Sequence, residues 1–164
     1  PDTYTAGVSS KNDEILDKNI NIIKTNRGGK ITWHGPGQKI FYFVINLAKR
    51  DRDIRKFVNI IEKTIIDTLE EYKISDFSER KNIGICIKKK NKILKIAAIG
   101  IKLKKWIAYH GFSINIDNDI KPYSKILPCG ISEDKITNLK NCKKQNYKDF
   151  KNRLIKNFIK NFQN

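Results

Sequence analysis

The sequence predicts an α+β domain with a mixed, largely antiparallel sheet and helices packed against it. Two observations carry this. Strand-like runs of Ile, Phe, Tyr and Val fall in groups, each followed by one amphipathic stretch, so the order is strands, helix, strands, helix rather than regular alternation. No linker rich in Pro, Gly or Ser and no internal repeat divides the 164 residues, of which 39% are apolar, so one domain over 1–164 is expected. The only internal echo is Trp33-His34-Gly35 against Tyr109-His110-Gly111.

Taken in order, the first feature is a concentration of glycine and proline. The chain has nine Gly and four Pro, yet Gly28, Gly29, Gly35, Pro36 and Gly37 fall together in R-G-G-K-I-T-W-H-G-P-G-Q, Arg27 to Gln38. Such a string reads as a binding loop whose backbone can approach a ligand, with Arg27 and His34 offering charge and hydrogen bonds; the alternative is a tight turn between strands. It matches neither the P-loop nor the dinucleotide pattern. Ile40 to Leu47 reads as a buried strand. Over Asp51 to Tyr72, Ile54, Phe57, Val58, Ile61, Ile65, Leu69 and Tyr72 recur at helical steps, with Asp51 or Asp53 as cap. Ile83 to Lys88 and Ile93 to Leu103 flank a polar Lys89-Lys90-Asn91-Lys92 turn as a hairpin, and Ala108 to Ile116 supplies another strand. From Asn146 to Phe162, Tyr147, Phe150, Leu154, Phe158 and Phe162 predict a C-terminal helix whose other face is Lys and Asn.

The formal net charge is +17, from 34 Lys+Arg against 17 Asp+Glu. However, 29 Ile, 28 Lys and 17 Asn make up 74 of the 164 residues, and a drift toward these types raises the charge without a selected partner. Nucleic acid is not an expected partner: a basic binding module needs aromatic and basic residues alternating on one face, whereas these lysines are spread along the chain. No apolar run approaches the roughly 20 residues of a membrane span, and no secretory signal is visible. No membrane partner is expected. Three cysteines without C-x-x-C spacing argue against a disulfide framework and a zinc ribbon; a reducing cytoplasm fits. The chain contains no Met and opens Pro1-Asp2-Thr3-Tyr4, so a longer native chain is expected.

Four residues stand out chemically. Cys129 sits in I-L-P-C-G-I, where Pro128 and Gly130 favour a turn that can present the thiol; a lone cysteine is more often a small buried hydrophobe, and Cys86 fits that description. Cys142, among Lys and Asn, is expected to be an exposed bystander. Lys95 has apolar neighbours on both sides, in I-L-K-I-A-A-I-G, where a partly dry site would lower its pKa and its charge would favour a nearby thiolate; a strand-edge lysine is the alternative. His34 and His110 each precede a glycine and are candidates to orient a substrate.

Three separated strings, R-G-G-K-I-T-W-H-G-P-G-Q, K-I-A-A-I-G-I-K-L-K-K-W-I-A-Y-H-G-F-S-I-N-I and P-C-G-I, with the opening P-D-T-Y-T-A-G, resemble the octanoyltransferase family of lipoate biosynthesis over about Pro1 to Ile131. The resemblance implies the fold of the biotin and lipoate ligase catalytic domains and a single acyltransferase domain. It implies octanoyl transfer from octanoyl-acyl carrier protein to a lysine of lipoyl domains of 2-oxoacid dehydrogenases and of the glycine cleavage H protein. It further implies Cys129 as the acyl-thioester nucleophile, Lys95 as its catalytic partner, and no cofactor and no metal. Substrate contacts are implied at Arg27, Gly28, Gly29, Lys30, Ile31, Thr32, Trp33 and His34, at Ala98, Ile99 and Gly100, and at Gly111, Phe112 and Ser113.

Trp33 stands where the family usually has tyrosine, Lys39 and Ile40 where more apolar residues are common, and Phe112-Ser113 in place of Leu-Ala. These changes are expected to reshape the acyl pocket. The family also carries a strand and a helix ahead of the position of Pro1, which this sequence lacks. An ATP-dependent lipoate or biotin ligase shares the fold but needs no cysteine nucleophile, so P-C-G-I disfavours it.

Overall fold

A computed structural model describes residues 2–75, 77, 83–128 and 135–163. Among the described residues seven strands form two sheets. The smaller joins β1 (Thr3–Ala6), β2 (Ile22–Lys24) and β3 (Ile31–His34) in the order β2-β1-β3. β1 runs parallel to β2 and antiparallel to β3, so the mixed character lies here. The larger sheet is antiparallel throughout, in the order β4-β7-β6-β5, from β4 (Gln38–Asn46), β5 (Ile85–Lys89), β6 (Lys92–Lys104) and β7 (Ile107–Asn115).

Helix α1 (Ile54–Glu71) begins where the Asp53 carboxylate accepts from the amides of Arg55 and Lys56, at 2.8 and 3.0 Å. Asp51, the other candidate cap, instead pairs with the Lys56 ammonium. α1 and α3 (Phe150–Gln163) cover one face of the large sheet; α2 (Leu139–Cys142) is a single turn. Phe57, Ile61, Ile65 and Leu69 of α1 and Phe150 and Leu154 of α3 are buried against Ala97, Phe112 and Ile114 of the sheet. Each such side chain contributes roughly 1.5–3 kcal/mol by leaving water. A second core joins Ile31 and Trp33 of β3 to Tyr123, Ile126 and Ile136 under the small sheet. Among the described residues no helix is long and apolar enough to cross a membrane.

Four expectations change. β4 is not a buried strand but the edge of the large sheet: Phe41, Phe43 and Ile45 face the core, whereas Tyr42 and Val44 are 74% and 78% exposed. The C-terminal helix starts at Phe150 rather than Asn146; Tyr147 precedes it, its hydroxyl donating to the carbonyls of Leu139 and Lys143. The Asn residues of that helix are not all solvated. Asn157 and Asn161 are buried against α1, where their amides reach Thr68 and Glu71, and Thr64 and Asp67. Finally, β1 to β3 have no counterpart among the expected strands, being only three or four residues long.

Candidate active site

The glycine-rich string is folded down onto the large sheet by contacts that only its own residue types permit. Gly28 lies flush on β6, so close that a Cβ there would sit 2.2 Å from the Ile101 carbonyl oxygen. Arg27 fixes the turn from the other side. Its Nη2 donates to the Thr5 carbonyl and hydroxyl, at 2.7 and 2.9 Å, and its Nη1 to the Gly28 carbonyl at 3.0 Å. Lys30 is held by the buried Glu14 carboxylate at 2.6 Å, a partner that the sequence did not mark.

Between this loop and the sheet runs a cleft of about 240 Å³. Arg27, Gly29, Lys30, Ile31, Thr32 and His34 line it on one side; Ala98, Ile99, Gly100, Gly111, Phe112 and Ser113 on the other. Strand register explains the second set: Gly100 is opposite Gly111 and Ala98 opposite Ser113, two pairs of small residues on neighbouring strands. Gly28 and Trp33 do not line the cleft. The Trp33 indole is 1% exposed and packs edge-on to Tyr123 at 5.5 Å, so Trp33 belongs to the second core and not to the cleft wall. Phe112 and Ile40 do line it, but Lys39 does not; Thr5, Thr25, Tyr42 and His110 complete the wall and lie outside the substrate-contact positions inferred from sequence.

Thr32, Ala98 and Ser113 also line a second, smaller cleft, which contains Lys95, Pro128 and Ile136. Lys95, on β6, is 5% exposed, and its ammonium donates to the Ile83 carbonyl at 3.1 Å. Its backbone carbonyl accepts from Thr137, and it forms a parallel bridge with Ile136. Cys129 lies outside the described residues; the described chain on either side of it, at Pro128 and at Ile136, reaches the cleft of Lys95.

A half-buried amide joins the two regions. Gln38 Nε2 donates to Asn115 Oδ1 at 2.8 Å and to the Tyr123 hydroxyl at 3.0 Å, while its Oε1 lies 2.6 Å from His34 Nδ1. Asn115 in turn donates to the Thr137 carbonyl at 3.0 Å. Burial lowers the pKa of His34, helped by the Arg27 charge and opposed by the Gln38 bond. His110 holds a left-handed backbone, φ +68°, and its Nε2 is 2.7 Å from Asn26 Oδ1. Its pKa is lowered by burial and by Arg27 and Lys102. Cys142 is half-buried and not an exposed bystander: its thiol donates to the Asn138 carbonyl at 3.1 Å, and burial raises its pKa.

The model of the lipoyl protein ligase A/B catalytic domain matches residues 1–159. The chain belongs to that family. It is 41% identical over 165 residues to an octanoyltransferase of Anaplasma phagocytophilum, covering 99% of this chain and 79% of the relative. It is 42% identical over 141 residues to that of Anaplasma marginale, covering 85% of this chain and 66% of the relative, so it spans just under two thirds of that protein. Its fold is similar to a crystal structure of lipoate-protein ligase A bound with ATP, with a TM-score of 0.76 at 18% identity, covering 99% of this chain and 69% of the other. It is also similar to the biotin protein ligase of Aquifex aeolicus, with a TM-score of 0.59 at 18% identity over 77% of this chain and 53% of the other. The expected ligase-type α+β fold of the lipoyl protein ligase A/B family is thus the observed one.

Proposed function

We propose that this protein transfers an octanoyl group from octanoyl-acyl carrier protein to a lysine of lipoyl domains, in the cytoplasm, without ATP. One observation carries the reading: the cleft between the glycine loop and the sheet shares Thr32, Ala98 and Ser113 with the cleft of Lys95 and Pro128. An acyl chain in the larger cleft would have its carbonyl end at the smaller one. Relatives bearing the name octanoyltransferase, at about 40% identity, support the same chemistry.

In the first step the Cys129 thiolate attacks the thioester carbonyl, a new C–S bond forms, and the carrier's C–S bond breaks. The departing thiolate takes a proton from the Lys95 ammonium. In the second step the acceptor amine attacks the Cys129 thioester, the C–N bond forms, Cys129 leaves as thiolate, and Lys95 accepts the proton lost by the amine. Thioester exchange is nearly isoenergetic and amide formation from a thioester is downhill, so no activated nucleotide is needed. The charge of +17 favours encounter with an acidic carrier protein and acidic lipoyl domains.

The test is incubation with octanoyl-acyl carrier protein, followed by intact mass and then by addition of a lipoyl domain without ATP. An octanoyl adduct, lost in Cys129→Ala and passed to the domain by the wild type, is expected. Transfer that requires ATP and survives Cys129→Ala would overturn the assignment.

A further inference from the structure

We propose that Glu62 is the positioning residue of Lys95, acting through the one peptide bond between Ile83 and Gly84. The proposal rests on the reading of Lys95 as the partner of Cys129.

The carbonyl of that peptide accepts from Lys95 Nζ at 3.1 Å. The amide N–H of the same peptide donates to Glu62 Oε1 at 3.2 Å. A trans peptide points its C=O and N–H in opposite directions, so one planar unit stands between a buried ammonium and a buried carboxylate. Negative charge at the N–H end polarises the unit and strengthens its oxygen as an acceptor for the ammonium, as in any chain of hydrogen bonds in a low dielectric. Glu62 and Lys95 are 8% and 5% exposed, and water screens neither strongly.

Gly84 makes this geometry possible. Its φ is +118°, open to glycine and strained for other residues, and a Cβ there would lie 3.1 Å from Lys95 Cε and 2.5 Å from the Ala97 carbonyl. The lysine stem thus packs directly on the glycine that faces Glu62. Glu62 also departs from its surroundings in a way that calls for a purpose: it is buried on α1, beside Ile61 and one turn before Ile65 and Ile66, where an apolar residue would do. The groups around it are Asn59 and Lys63 on its own helix, Phe77, and Cys86 of β5, with Lys95 of β6 beyond the peptide.

The experiment follows the thiolate of Cys129 by its alkylation with iodoacetamide as a function of pH, read by peptide mass so that Cys86 and Cys142 are scored separately. Wild type, Lys95→Ala, Glu62→Ala and Glu62→Gln are compared at a temperature where each melts cooperatively well above the assay; should Glu62→Ala fail that criterion, Glu62→Gln decides. Loss of the ammonium in Lys95→Ala is expected to move the Cys129 midpoint upward. Glu62→Ala is expected to move it in the same direction by a smaller amount and to slow octanoyl-adduct formation at neutral pH by about tenfold. A shift in Glu62→Ala, or in Glu62→Gln where that variant decides, supports the proposal, because either change removes the negative charge that polarises the peptide. Wild-type midpoints in the Glu62 variants, with Lys95→Ala shifted, overturn the role of Glu62 alone. An unshifted Lys95→Ala overturns the reading of Lys95, and this inference with it.

Discussion

His34 Nδ1 lies 2.6 Å from Gln38 Oε1, and the other contacts of Gln38 decide which atom carries the proton. Gln38 uses its nitrogen as donor to Asn115 and Tyr123, and the Asn115 oxygen is fixed by that residue's own donation to Thr137. The Gln38 oxygen must therefore accept, and neutral His34 is protonated at Nδ1. Its pKa is lowered, by burial first and by the Arg27 charge. The unfolded chain, with a pKa of about 6.5, then binds more protons than the folded one between the two values. Stability contributed by neutral His34 is thus present above about pH 6.5 and lost as the pH falls. Urea denaturation at pH 7.5 and 5.5 should show that loss, and His34→Gln should reduce it. His110, shifted the same way, keeps the remaining slope above zero.

Gly28→Ala tests how the loop is seated. The added Cβ would meet a backbone oxygen at 2.2 Å, and a carbonyl within a paired strand has nowhere to go. The loop must lift from β6, taking Arg27 and Gly29 away from the cleft. A loss of stability of roughly 1–3 kcal/mol is expected, measured by urea titration, with octanoyl-adduct formation falling by at least about tenfold.

Long-period features were legible in the sequence and short-range geometry was not. The stripe of Phe57, Ile61, Ile65 and Leu69 announced α1 because helical burial repeats over many residues. The strands β1, β2 and β3 hold three or four residues each, too few for alternation to register, yet β1 and β3 carry part of one wall of the cleft. The glycine string was visible by composition alone, whereas Glu14 and Glu62, which hold Lys30 and the peptide before Gly84, sit in stretches without any motif. In β4 the run of apolar residues concealed an alternation, because outward Tyr42 and Val44 are as hydrophobic as inward Phe41 and Phe43. The Asn residues of α3 misled for a related reason. In a chain with 17 Asn, the two that pair with α1 cannot be told from the solvated ones by type.

Those two make a direct test. Asn157 donates to Thr68 Oγ1 at 3.1 Å and to Glu71 Oε1 at 2.8 Å across the contact between α1 and α3. Asn157→Ala should lower stability by about 1–3 kcal/mol, since the partners are left with an unmade bond. Asn157→Leu restores volume but not the donor and should recover little of that loss in thermal or urea melts. Full recovery would mean that packing, and not the hydrogen bonds, holds the helices in register.

Acyl-chain length should respond differently to enlargement at two positions of the cleft wall. Ala98 lines both the large cleft and that of Lys95, so on the proposed reading Ala98→Leu crowds the wall that an acyl group of any length has to pass. Adduct formation should fall alike with butanoyl- and octanoyl-carrier protein. Ile40, on the edge strand, lines only the large cleft, opposite Ser113 of β7. A larger side chain there removes space that a short chain does not fill. Ile40→Trp should therefore slow octanoyl transfer while sparing butanoyl, changing their ratio by about tenfold, the scale at which a pocket discriminates a methylene or two. Rates of adduct formation by intact mass measure both. A uniform loss with Ile40→Trp, or a length-dependent one with Ala98→Leu, would reverse the direction in which the chain is proposed to lie.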